Sequence, residues 1–236
     1  MQAMRETMSG CSSRTQRTGE FFKKLSPAAL QDLESMKYPS NHQPGVILFS
    51  EKESPFGVFI VLSGEVKLSI NSSDGKRLIL SIAKAGEVLG LSSVLSGLPN
   101  EMTAEVLYPA KIAVIERRQF LGFLSRHPEA YQTVTEELSL QYKVACEQLR
   151  TVGLSASAPE KLARLLLEWS DDGQKNDAGS RCRFSLTHEE IGEFIGASRE
   201  TVTRTLSIFK TRRLVAFHGS TLTIPSRVAL QSYARF

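Results

Sequence analysis

Arg199, Glu200 and Arg204 are the residues of this chain whose types and spacing speak most directly of chemistry. Arginine is the commonest bidentate partner of guanine O6 and N7, and a carboxylate can accept from cytosine N4. A carboxylate beside a phosphate backbone is electrostatically unfavourable, so Glu200 between two arginines points to base reading rather than to attraction by charge alone. Thr203 shares their helix face. With two capping hydroxyls, the candidate DNA-contacting set is Thr187, Ser198, Arg199, Glu200, Thr203 and Arg204.

These side chains need a scaffold that holds them at one exposed helical end, and the surrounding residues predict one. Thr187 with Glu190 three residues on forms a capping box that starts a first helix. Ile191, Phe194 and Ile195 give that helix an apolar stripe, and Gly196 supplies a turn at no steric cost. Ser198 caps a second helix, in which Val202, Leu206 and Phe209 face the core and the charged trio the other way. A recognition helix reaches base edges through its first turns. The plainer alternative is an exposed helix with an ordinary arginine–glutamate mixture. The cap, turn and stripe falling in register favour the DNA reading.

Whole-chain properties set weaker bounds. The 236 residues suffice for one large domain or two modest ones, and 41% hydrophobic with 23% charged residues is an ordinary globular composition. No run of about 18 apolar residues predicts a membrane span. The first 20 residues lack the apolar segment of a secretion signal, so a cytoplasmic location is expected. Net charge is +4, and residues 159–236 carry 12 Lys and Arg against 9 Asp and Glu, a mild C-terminal bias. Cys11, Cys146 and Cys182 are scattered without metal-ligand spacing, which predicts reduced thiols and no metal site, with Cys11 as a conceivable redox-reactive thiol.

Four segments are expected along the chain: a polar, flexible tail (1–20), a β-rich sensor domain (21–127), a long dimerisation helix (128–154) and a C-terminal DNA-binding domain (155–236). A short helix begins at Ser26-Pro27, with Leu30 and Leu33 inward. Short β runs follow, among them 46–49, 57–62, 65–70, 78–82, 103–107 and 111–115, punctuated by Pro44-Gly45, Ser63-Gly64, Asp74-Gly75 and Ala85-Gly86. In the 65–70 run, Val66, Leu68 and Ile70 alternate with Lys67 and Ser69, predicting one buried and one wet face. After a helix over 117–126, Tyr131, Leu138, Ala145 and Val152 repeat every seven residues, with Thr135, Tyr142 and Leu149 in a second row. Two interleaved heptad rows describe a seam that wants a partner helix, most simply a second copy of the chain, although packing on the protein's own strands is an alternative. Beyond a hinge at 153–159 come an amphipathic helix (Leu162, Leu165, Leu166, Trp169), a polar loop over 171–180, the two-helix unit, and a hairpin wing of 214–217 and 221–224 with His218-Gly219-Ser220 at its tip.

Taken together, residues 21–236 resemble the Crp/Fnr superfamily of bacterial transcription regulators. The likeness rests on the Gly-punctuated roll (Gly57, Gly64-Glu65-Val66, Asp74-Gly75, Gly86-Glu87-Val88-Leu89-Gly90), the long helix, and Ser198-Arg199-Glu200-Thr201-Val202-Thr203-Arg204. The resemblance implies an α+β fold: a cyclic-nucleotide-binding-type β-roll, a long dimerisation helix and a C-terminal winged helix-turn-helix. It implies a homodimer on a palindromic TGTGA-like operator, with Arg199 and Arg204 reading guanines, Glu200 a cytosine, and RNA polymerase as a further partner. The expected dimer interface is Tyr131, Leu138, Tyr142, Ala145, Leu149 and Val152.

The effector side departs from the family's cyclic-AMP pattern. Leu91 stands where a carboxylate meets the ribose, Met102-Thr103 where an Arg-Ser pair holds the phosphate, and Ala145 and Cys146 where hydroxyls meet adenine. Burying a phosphate without a cationic partner is costly. The candidate effector pocket is therefore Gly90, Leu91, Ser92, Met102 and Thr103, relatively apolar, and suited to an uncharged ligand or to none; a single-cysteine chain segment does not match an iron–sulfur set, and no spacing singles out His42 or His127 for haem. The effector stays unknown. A rival function is a sensor module acting through protein contacts, against which Arg199, Glu200 and Arg204 argue. No Gly-x-Ser-x-Gly, Walker or His-Glu-x-x-His motif is present, so catalysis is not expected.

Overall fold

Several β runs that look separate in sequence are continuous in the molecule. The computed structural model describes residues 20–154, 157–171, 174–176 and 179–234. The expected tail, apart from Glu20, lies outside the described residues, as does Cys11. The described residues begin with α1 (Glu20–Lys23) and α2 (Pro27–Ser35), whose N-cap Ser26 accepts from Ala29 N. Leu33 is buried and Leu30 partly so. Six strands follow: β1 (Tyr38–His42), β2 (Ile47–Phe49), β3 (Gly57–Asn71), β4 (Arg77–Lys84), β5 (Val88–Leu89) and, after α3 (Leu91–Ser96), β6 (Thr103–Glu116).

Thus 57–62 and 65–70 form one strand, as do 103–107 and 111–115. Ser63-Gly64 is a bulge and not a reversal. Gly64 takes φ +86° where β3 crosses β6, and a Cβ there would lie 2.5 Å from the Pro109 carbonyl oxygen. A bulge of this kind bends a strand without ending its pairing. The sheet is antiparallel, in the order β1-β6-β3-β4, with β2 on β6 and β5 on β3. One set of side chains (Phe59, Val61, Val66, Ala104, Ile112) fills the inside of the roll. Another (Val58, Ile60, Ala113, Ile115) packs on Leu91, Phe120, Phe123 and Leu124.

Helix α4 (Arg117–Arg126) leads into α5 (Ala130–Leu154), a 25-residue helix. The C-terminal part comprises α6 (Ala158–Ser170), β7 (Gln174–Asn176), β8 (Gly179–Arg183), α7 (His188–Ile195), α8 (Arg199–Thr211), β9 (Ala216–His218), β10 (Thr221–Ile224) and α9 (Arg227–Ala234). The expected polar loop over 171–180 instead contains β7 and the start of β8, which extend the wing into a four-stranded sheet, β7-β8-β10-β9. The sequence there lacks apolar alternation, and the strands are defined by pairing, β7 on β8 and β8 on β10.

Lys67 and Ser69, expected on a wet face, are buried at 4% and 1% exposure. The C-terminal helices cover that side of the sheet. Ile79 and Ile82 of β4 belong to the same apolar cluster as Phe194, Ile195 and Leu206. Lys67 Nζ lies 3.2 Å from Glu105 and 3.1 Å from Glu190 of α7. Gln148 of α5, also buried, donates from Nε2 to the carbonyls of Ile79 (2.9 Å) and Phe194 (2.6 Å), joining sheet, long helix and α7. Alternation read from one strand cannot anticipate a second domain placed on top of it.

Candidate nucleic-acid interface

The two-helix unit is built by its caps. Thr187 is the N-cap of α7: its Oγ1 accepts from Glu190 N at 3.1 Å, and Glu190 Oε2 accepts from Thr187 N at 2.9 Å. Gly196 ends α7 in the left-handed region, φ +64°. Gly192, to which the sequence reading gave no role, makes the tight turn feasible: a Cβ there would stand 2.5 Å from the Ala197 carbonyl oxygen. Ser198 then caps α8, accepting from Thr201 N at 3.3 Å. Val202, Leu206 and Phe209 are buried.

Arg199, Glu200, Thr203 and Arg204 all lie exposed on the first two turns of α8, beside exposed Ser198 and Thr187. Hydrogen bonds from its own backbone N–H and from Ser198, with Arg199 nearby, outweigh slight desolvation and hold the Glu200 carboxyl below the usual glutamate range. Glu200 is therefore an acceptor at neutral pH.

Two neighbours were not singled out by sequence. His188, at the start of α7, places Nδ1 2.8 Å from Thr203 Oγ1. Burial, then the charges of Lys210 and Arg199, lowers its pKa and keeps it neutral. Lys210 sits with its Nζ 5.1 Å from the Phe217 ring centroid, between α8 and the wing. Thr187, His188, Lys210, Gly219 and Ser220 line one cleft between the start of α7 and the wing tip. A lysine beside a helix N-terminus is a setting in which a phosphate is favourable.

A second cavity, of about 90 Å³, lies between the sheet and α5. Gly90, Leu91, Ser92 and Met102 line it, whereas Thr103 does not. Thr103 Oγ1 accepts from Glu51 N at 3.0 Å and so belongs to the β2–β6 edge. Ala145 joins the lining from α5. Its charged groups are Lys84, Glu87 and Glu101, and Glu101 accepts from Ser92 Oγ at 2.5 Å. Among the described residues, no group of three His, Cys, Asp or Glu is placed to hold a metal ion, and no helix is long and apolar enough to cross a membrane.

Along α5 the heptad rows divide. Tyr131, Tyr142 and Leu149 are exposed, the last two at 74% and 64%. Leu138 packs partly on the roll's core, Ala145 faces the cavity, and Val152 approaches Gly196. The row through Tyr142 and Leu149 is thus uncovered within one chain.

Comparison with known proteins agrees with this architecture. Residues 39–127 match the model of the cyclic nucleotide-binding domain and residues 160–233 that of the Crp-like helix-turn-helix domain. The chain is 25% identical over 215 residues to a CRP-like cAMP-activated global transcriptional regulator of Mycobacterium tuberculosis, covering 91% of this chain and 96% of that one. It is 23% identical to the cAMP-activated global transcriptional regulator CRP of Salmonella typhimurium, over 80% of this chain and 88% of that protein. The solved structure of FixK2 from Bradyrhizobium japonicum superposes with a TM-score of 0.75 at 21% identity, covering 85% of this chain and 98% of that one. With a cyclic nucleotide-binding domain followed by a Crp-like helix-turn-helix, the chain belongs to the Crp/Fnr superfamily of transcription regulators.

Proposed function

We propose that the protein is a sequence-specific regulator that acts as a homodimer on a palindromic, TGTGA-like operator in the cytoplasm. The observation that carries this is the exposed Arg199, Glu200 and Arg204 array on a helix whose opposite face is buried. Arg199 and Arg204 take guanines bidentately and Glu200 accepts from a cytosine. Thr187, Ser198, Lys210 and the wing tip hold the backbone and carry no sequence information themselves. The dimer forms through α5, with Tyr131, Tyr142 and Leu149 as its uncovered contacts and Leu138, Ala145 and Val152 beside them. Residues 21–127 sense, 128–154 dimerise and 155–236 bind DNA, with RNA polymerase as the further partner.

The effector is an uncharged, largely apolar molecule seated beneath α5, and not cyclic AMP in the family's usual mode. Glu87 and Glu101 outnumber Lys84 among the charged groups of the lining, and Leu91 and Met102 offer neither a ribose acceptor nor a phosphate partner. Occupation of this cavity, lined partly by Gln141, Val144 and Ala145 of α5, biases the spacing of the two recognition helices. Selection of bound sites from random DNA, with and without candidate ligands, tests the whole reading. Recovery of two inverted half-sites about one helical turn apart is expected. Binding indifferent to sequence would instead favour the rival sensor acting through protein contacts, and a large thermal shift with cyclic AMP would overturn the effector assignment.

A further inference from the structure

Thr203 differs from the other exposed groups on α8 in how its polar atom is engaged. Its Oγ1 lies 2.9 Å from the Arg199 carbonyl oxygen and 2.8 Å from His188 Nδ1. A threonine hydroxyl has a single proton. If the Arg199 carbonyl accepts it, the imidazole carries its hydrogen on Nδ1 and donates to Oγ1. If the imidazole accepts it, none remains for the carbonyl. Either way the proton is used inside the protein, and Thr203 has no donor to offer guanine O6, adenine N7 or thymine O4. What an exposed threonine in the second turn can still present is a remaining acceptor lone pair, on an oxygen drawn towards Arg199 and His188, and its methyl group, which is free of any polar partner. The complementary feature in the major groove is the thymine C5-methyl, the one apolar group among the base edges.

We propose that Thr203 is a specificity-determining residue that selects a thymine by methyl contact, and that His188 is the positioning residue that holds it in the required rotamer. Two side chains from the two helices of the motif thereby fix one base position. The inference rests on the DNA-reading function proposed above and names the base chemistry of one of its residues.

The test uses the full-length protein and the operator that it selects from random DNA. Each thymine is replaced singly by deoxyuridine, which removes only the methyl group. For the wild type, one replacement per half-site weakens binding about fourfold, the change expected for one methylene-sized contact. Thr203→Val keeps that thymine-to-deoxyuridine ratio, because valine, unlike threonine, has one strongly preferred helical rotamer and so holds a γ-methyl in place without the hydroxyl contact to His188. Thr203→Ser brings the ratio to one while discrimination at the guanine positions persists. His188→Ala lowers the ratio towards one, a readout distinct from any uniform loss of affinity. A selected operator with no methyl-sensitive thymine, a Thr203→Ser variant that retains the ratio, or a Thr203→Val variant that loses it overturns the role of Thr203. An unchanged ratio in His188→Ala overturns the role of His188. Failure of the parent reading is distinct, since the wild type would then select no common site at all.

Discussion

Arg199 and Arg204 leave α8 on the face opposite Val202, Leu206 and Phe209, so on the proposed reading their removal costs contacts to DNA and leaves the fold untouched. Arg199→Ala is expected to weaken operator binding by about 1–3 kcal/mol and to relax preference at one base pair, with little change on scrambled duplex. Titration of single-base operator variants measures both effects. Equal losses on operator and scrambled DNA would reassign Arg199 to phosphate contact. At this scale the sequence is readable wherever the cause is local. The Thr187–Glu190 box, the Gly196 turn and the Ser198 cap each act over three or four residues. Lys67 and Gln148 are unreadable for the opposite reason: their partners lie 123 and 46 residues away, and a lysine between apolar residues predicts a solvated edge.

Element boundaries followed the same division. Helices α2, α4, α5 and α6 sit where apolar spacing and caps place them, because a helix satisfies its backbone internally. Strands depend on neighbours, so the bulge at Gly64 looks like a turn until β6 is seen beside it, and β7 has no signal without β8. Helix α5 shows both behaviours. Its existence was legible, but only part of its heptad surface is uncovered, since Leu138, Ala145 and Val152 also serve their own chain. Leu149 is the cleanest probe because it is 64% exposed in the monomer. Leu149→Glu is expected to leave monomer stability within about 0.5 kcal/mol, as for other surface changes, while separating the proposed dimer. Palindrome affinity then falls on the order of 100-fold and half-site affinity stays the same, as loss of a second tethered module requires. Sedimentation and binding to full and half operators check the two arms.

Across the whole molecule, the recognition unit is held on the roll by one apolar patch and a few buried polar contacts. Gln148 satisfies a carbonyl in the last turn of α7, where helical carbonyls have no internal partner, and a second one in β4. Gln148→Leu leaves both without that donor, so a loss of about 1–3 kcal/mol is expected in denaturant unfolding, with the roll and the C-terminal helices melting separately instead of together. Glu190 adds a pH dependence. Burial opposes its charge, but hydrogen bonds from the Thr187 backbone, then from Lys67, outweigh it, and its pKa is lowered. A depressed carboxyl pKa stabilises the folded state fully above the ordinary glutamate value, and that stability is lost as pH falls through the lower folded value. Glu193, one turn on, has the opposite sign: burial first, against the charges of Arg77 and Lys67, raises its pKa, so acidification strengthens its fit. At this junction the two titrations oppose one another. Glu190→Gln is expected to lower stability at neutral pH and to reduce the acid-side loss, whereas Glu193→Gln steepens that loss. Urea unfolding followed from neutral pH into the acid range distinguishes them, and identical pH slopes in all three proteins would mean that neither carboxyl is coupled to docking of the recognition unit.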